Sequence, residues 1–85
     1  MITTQRVYDF ILWAVLETGL PPSIRQIMSG VGLRSSNTVW LHIRRLEKMG
    51  LVTMVNRHPL PVAILEYIKL FEPPTQIQVM ESAKK

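Results

Sequence analysis

The fold turns on residues 35–50, Ser35-Ser36-Asn37-Thr38-Val39-Trp40-Leu41-His42-Ile43-Arg44-Arg45-Leu46-Glu47-Lys48-Met49-Gly50. Val39, Ile43 and Leu46 stand at i, i+4 and i+7, so a helix drawn through them puts all three on one face that must be buried. Ser35 or Ser36 caps its start and Gly50 stops it. At 100° per residue, the opposite face carries Asn37, Leu41, Arg44 and Lys48, with Arg45 towards one edge. That outward face is polar and basic. His42 falls at the edge of the buried stripe and is expected to be a partly buried packing residue. Trp40 falls on the flank, about 100° from the stripe.

Upstream, Val7, Phe10, Ile11 and Ala14 trace one face of a first helix from Thr3 or Thr4 to Thr18, with Thr4 as its expected N-cap. Gly19 ends it. Leu20-Pro21-Pro22 is a stiff connector, because prolines fix φ and push the preceding residue out of the α region. Ser23, with Gln26 three residues on, has the form of a capping box opening a second helix whose stripe is Ile24, Ile27 and Met28. Gly30-Val31-Gly32-Leu33 closes that helix with two glycines able to take positive φ. Downstream, Leu51 to Val55 is β-branched, Asn56 to Pro61 has turn chemistry, and Val62 to Ile68 is again strand-compatible. Three helices followed by a C-terminal β-hairpin make an α+β, mainly α, winged helix-turn-helix over residues 1–72. Pro73-Pro74 marks a boundary, and the tail 73–85 is expected to be flexible or to dimerise.

With 85 residues, 47% of them apolar and 19% charged, the chain makes one small domain and leaves no room for two. No cysteine is present, which excludes a disulfide scaffold and thiolate metal sites and suits a reducing cytoplasm. The longest apolar run, Phe10 to Leu16, is far too short to span a membrane. Asp9 interrupts the charged end that a secretory leader within residues 1–19 needs, and no small-x-small cleavage site follows. His42 and His58 are the only histidines and have no paired ligands, so neither metal nor cofactor is expected. No serine has a recognisable general base and no glycine-rich phosphate loop occurs, so enzyme activity is not expected either.

The formal net charge is +4. Ser23 to His58 holds six bases, Arg25, Arg34, Arg44, Arg45, Lys48 and Arg57, against one acid, Glu47. The excess therefore sits on the turn, the third helix and the hairpin tip, the parts that meet double-stranded DNA in this layout. Ser35, Asn37 and Thr38 are short polar residues at the helix start, within reach of base edges. Asn37 suits adenine, Arg44 suits guanine or a phosphate, and Leu41 suits a thymine methyl. Arg25, Arg34, Arg45, Lys48 and Arg57 are assigned to phosphates, as is Ser23 through the N-terminus of the second helix. Trp40 either packs under the hairpin or lies against DNA. Trp13 falls on the face of Arg6 and Glu17, opposite the core side of Val7 and Phe10. Its surface needs a cover, from the C-terminal strand, the tail through Ile77 and Val79, or a second copy.

The run Thr18-Gly19-Leu20-Pro21-Pro22-Ser23, then Ile27, Gly32-Leu33, Ser35-Ser36-Asn37-Thr38-Val39, His42-Ile43, Leu46-Glu47 and Gly50-Leu51, resembles the N-terminal DNA-binding domain of the LexA-type SOS repressors. Thr4-Gln5, Val7 and Asp9-Phe10-Ile11 fit that family's first helix, so the resemblance covers about Thr3 to Val55. It implies a winged helix-turn-helix that binds operator DNA and represses transcription, usually as a homodimer on a two-fold site. It implies too that Ser35, Asn37, Thr38, Trp40 and Leu41 approach base edges. Trp40 and Leu41 replace acidic residues of the best-known members, and His58-Pro59-Leu60-Pro61 is bulkier than the usual wing. The family's self-cleaving domain, with its Ser–Lys dyad, lies beyond the end of this chain. The separate tail and the extra aromatic surface favour a stand-alone regulator, of a phage or mobile element, over a fragment. A rival reading is a protein-interaction module docking on a host repressor or RNA polymerase through Trp13, Trp40 and Leu41; a further one is a nonspecific architectural DNA binder.

Overall fold

The computed structural model describes residues 2–71. The chain runs α1 (Ile2–Thr18), α2 (Ile24–Val31), α3 (Ser36–Lys48), β1 (Val52–Val55), β2 (His58–Pro61) and α4 (Val62–Phe71). The three predicted helices are present, and the two strands form an antiparallel pair. Their apolar stripes meet in one cluster of Val7 and Ile11 from α1, Ile27 and Val31 from α2, Val39, Ile43 and Leu46 from α3, and Val52 from β1. Each such side chain contributes roughly 2 kcal/mol by leaving water. Among the described residues no helix is long and apolar enough to cross a membrane.

The chain beyond Val55 differs from expectation. The turn is only Asn56-Arg57, both at positive φ, 49° and 66°. Two successive residues of that kind make the tight turn whose twist matches a hairpin. His58–Pro61, expected to be turn, is therefore the second strand, paired Val55 with His58, Met54 with Pro59, Thr53 with Leu60 and Val52 with Pro61. In a two-residue hairpin the pair flanking the turn is hydrogen-bonded and bonding alternates from there, so Pro59 and Pro61 fall in non-bonded pairs. Their missing N–H groups cost the ladder nothing.

Val62 to Ile68, expected to be a strand, lies instead in α4. The four residues of β1 are fully matched by His58–Pro61, so a strand at 62–68 has no partner. A proline at the threshold and Ala63, Leu65 and Glu66 within the segment favour the helix. The Val62 N–H donates to the Leu51 carbonyl at 2.9 Å, fastening the start of α4 to the start of β1, and α4 packs on β2.

Two further expectations fail for tertiary reasons. Thr4 is not a cap: it lies within α1, is 3% exposed, and shares a 2.8 Å hydrogen bond with His42 Nδ1 of α3. Gly30 does not take positive φ; it stays inside α2, and Gly32 alone turns the chain, at φ 83°. A Cβ on Gly30 would run into the ring of Phe10. Gly30 thus lets the Phe10 ring of α1 lie against the backbone of α2.

Candidate nucleic-acid interface

The turn between α2 and α3 sets the site. The N–H groups of Gly32 and Leu33 both donate to the Met28 carbonyl at 2.9 Å, closing α2 in a left-handed turn. Arg6 Nη2 donates to the carbonyl of Val31, the last residue of α2, at 3.0 Å, placing a positive charge at the negative end of that helix. Ser35, extended at φ −123°, then caps α3 by accepting from the Thr38 N–H at 3.4 Å. The cap uses an acceptor lone pair and leaves the Ser35 O–H free to donate. Ser23 makes the full capping box on α2, with its Oγ accepting from the Gln26 N–H at 3.1 Å and its own N–H donating to Gln26 Oε1 at 2.8 Å. Its backbone N–H, expected to meet a phosphate, is therefore already taken.

With Val39, Ile43 and Leu46 buried, α3 turns Asn37, Leu41, Arg44, Arg45 and Lys48 outward, all exposed. Thr38 and Trp40 are half-buried. Trp40 packs against the core cluster, and it also borders a shallow groove of about 360 Å³ with Asn37, Leu41 and Arg44. Arg25 on α2, Arg34 in the turn and Arg57 at the hairpin tip are exposed as well. Arg57 holds its positive φ without being glycine or asparagine, a conformation that costs about 1 kcal/mol or more. His58 holds the hairpin inward: its Nδ1–H donates to the Pro22 carbonyl at 3.3 Å.

His42 is 8% exposed. Its burial, with the charge of Arg45 acting in the same direction, holds its pKa below the usual 6.5, so near neutrality the ring is uncharged. Only the 3.6-residue period pointed to this residue; its bond to Thr4 joins positions 38 apart and has no local signal.

Trp13 is 56% exposed, but it does not stand opposite Phe10. The two rings are 5.7 Å apart and tilted by 40°. The 60° between positions 10 and 13 on a helix brings neighbours together, and Phe10 itself is only half-buried. Both rings border a second groove of about 840 Å³, with Leu20, Pro21 and Val55 on its walls. The covering strand expected there is the helix α4, which packs on β2. Ile77 and Val79 lie outside the described residues.

A three-helix unit with a sharp second turn, a hairpin beside it, and a third helix exposing amide, guanidinium and ammonium groups is a winged helix-turn-helix module. The family model for the LexA DNA binding domain matches residues 3–60, and the chain belongs to that family. The match runs past α3 and into the second strand of the hairpin. The chain is 46% identical over 63 residues to a LexA repressor of Clostridium acetobutylicum, covering 74% of this chain and 29% of that protein. It is 42% identical over 60 residues to one of Clostridium novyi, covering 71% and 29%. To one of Listeria welshimeri it is 40% identical over 75 residues, covering 88% and 37%. The chain thus spans about a third of the length of the curated relatives it matches.

Proposed function

We propose that this chain is the sequence-specific, duplex-binding part of a transcriptional repressor, with α3 in the major groove and the hairpin tip braced on the backbone. One observation carries the reading: the outward stripe of α3, formed by Asn37, Leu41, Arg44, Arg45 and Lys48, holds no carboxylate, the exposed Glu47 lying on the flank, in a domain of the LexA DNA-binding family. A helix about 10–12 Å in diameter fits the roughly 12 Å width of a major groove, and the 13 residues of α3 give it about 20 Å of length. Ser35, Asn37, Thr38, Leu41 and Arg44 face base edges. Arg25, Arg34, Arg45, Lys48 and Arg57 meet phosphates, which position the domain without reading sequence. Ser23 contributes by holding the start of α2, beside Arg25. Two copies bind a two-fold site, each through one α3. The names of the relatives support repression as the outcome. The family match gives no support to a module that docks on another protein instead of DNA.

The test is selection of bound sites from random duplexes, followed by a salt titration on the selected site. A consensus should emerge. Affinity should fall by roughly 10³-fold or more between 50 and 200 mM salt if a dimer neutralises six or more phosphates. No consensus, or an affinity indifferent to salt, refutes the proposal.

A further inference from the structure

The outward stripe of α3 carries an apolar element that phosphate contact does not call for. An exposed leucine alone means little. Leu41, however, is 50% exposed across a groove from an indole that is anchored by its own packing against the core. Asn37, about one turn before Leu41, and Arg44, about one turn after it, line the same groove. From Asn37 to Arg44 the helix rises about 10 Å, or about three base steps at 3.4 Å each.

The four bases make different demands in the major groove. Adenine asks for a carboxamide, guanine for a guanidinium, and thymine offers an apolar methyl. Cytosine offers only an N4 donor, which wants a carboxylate or another acceptor. The groove supplies the first three. The single acid of α3, Glu47, lies about 120° round the helix from Leu41 and cannot serve the same base pair.

We infer that the groove between Trp40 and Leu41 is a seat for the 5-methyl group of a pyrimidine, flanked within three to four base pairs by an adenine read by Asn37 and a guanine read by Arg44. The inference rests on the duplex-reading role proposed above and adds the chemistry being read. The indole wall is fixed by the core, so the seat exists before binding and closes on a methyl group with little ordering cost. Cytosine fits only when its own C5 is methylated, which gives it the same apolar knob as thymine.

The experiment uses the full chain and a selected site. Each thymine is replaced in turn by deoxyuridine, which removes the methyl and leaves the pairing intact. One thymine per half-site should then lose about four-fold in affinity, the worth of one buried methyl group. Cytosine at that position should bind more weakly, and 5-methylcytosine should regain a similar factor over cytosine. In Leu41→Ala, whose thermal stability should hold because the side chain is half exposed, the thymine and deoxyuridine sites should become equal. Sequence-specific binding that ignores every thymine methyl overturns the seat and leaves the duplex-reading role standing. So does a methyl effect of full size in Leu41→Ala. If no site is selectable, both fall together.

Discussion

Replacing Gly30 by alanine sets helix propensity against packing. Gly30 lies inside α2 with a helical backbone, and there alanine is worth up to about 1 kcal/mol over glycine. From the sequence alone, Gly30→Ala stabilises. In the fold, the new Cβ runs into Cε1, Cζ and Cδ1 of Phe10, so the ring must move. Phe10 is half-buried and backed by Trp13 at 5.7 Å, which limits how far it can swing. Overpacking of this kind costs about 1–3 kcal/mol. The net expectation is a loss of about 1 kcal/mol, or about 4–8 °C in Tm for a domain of this size. Phe10→Leu removes the two ring atoms nearest the new methyl. In that background Gly30→Ala should be neutral or stabilising, giving a coupling of about 1–2 kcal/mol. Thermal melts and urea titrations of the four proteins, followed by far-UV circular dichroism, close the cycle. A rise in Tm on Gly30→Ala of equal size with and without the Phe10 ring would show that the two helices do not meet as described.

Three other outcomes are expected. His42 has a folded-state pKa below 6.5, so on acidification the unfolded chain takes up the proton first; stability should be full above about pH 6.5 and fall as pH drops below it, and His42→Gln should flatten a plot of urea midpoint against pH over that range. Arg57→Gly should relieve the left-handed strain at the hairpin turn and raise stability by about 1 kcal/mol, while weakening binding to all duplexes and lowering the salt slope by about one unit; a drop in Tm would contradict the turn geometry. Asn37→Ala should relax base preference at one position of the selected site by about 1–3 kcal/mol, whereas Lys48→Ala should weaken every sequence alike, and equal behaviour of the two in competition binding would abolish the division between reading and positioning residues.

The three helices, their inward stripes and the cationic outward face of α3 were legible because each is a periodic property of a few consecutive turns. Val39, Ile43 and Leu46 must share a face whatever else the chain does, and Arg44 and Lys48 must then point away from it. The caps at Ser23 and Ser35 were legible for the same reason: they bond within three residues. Past Val55 that logic runs out. A short apolar run such as Val62 to Leu65 has no period long enough to separate strand from helix. What made it a helix was the two-residue turn at Asn56-Arg57, which brought His58–Pro61 onto β1 and left no partner for a further strand.

The cationic outward face of α3 thus follows from composition and spacing alone, while the walls of its groove do not. Trp40 could be placed on a flank by counting, but only packing against the core makes its ring a fixed wall facing Leu41. Thr4 meets His42, and Gly30 meets Phe10, across 38 and 20 positions of chain. Such pairs are chosen by which helices cross and how closely. Close packing decides that for the molecule as a whole, and no stretch of sequence carries it.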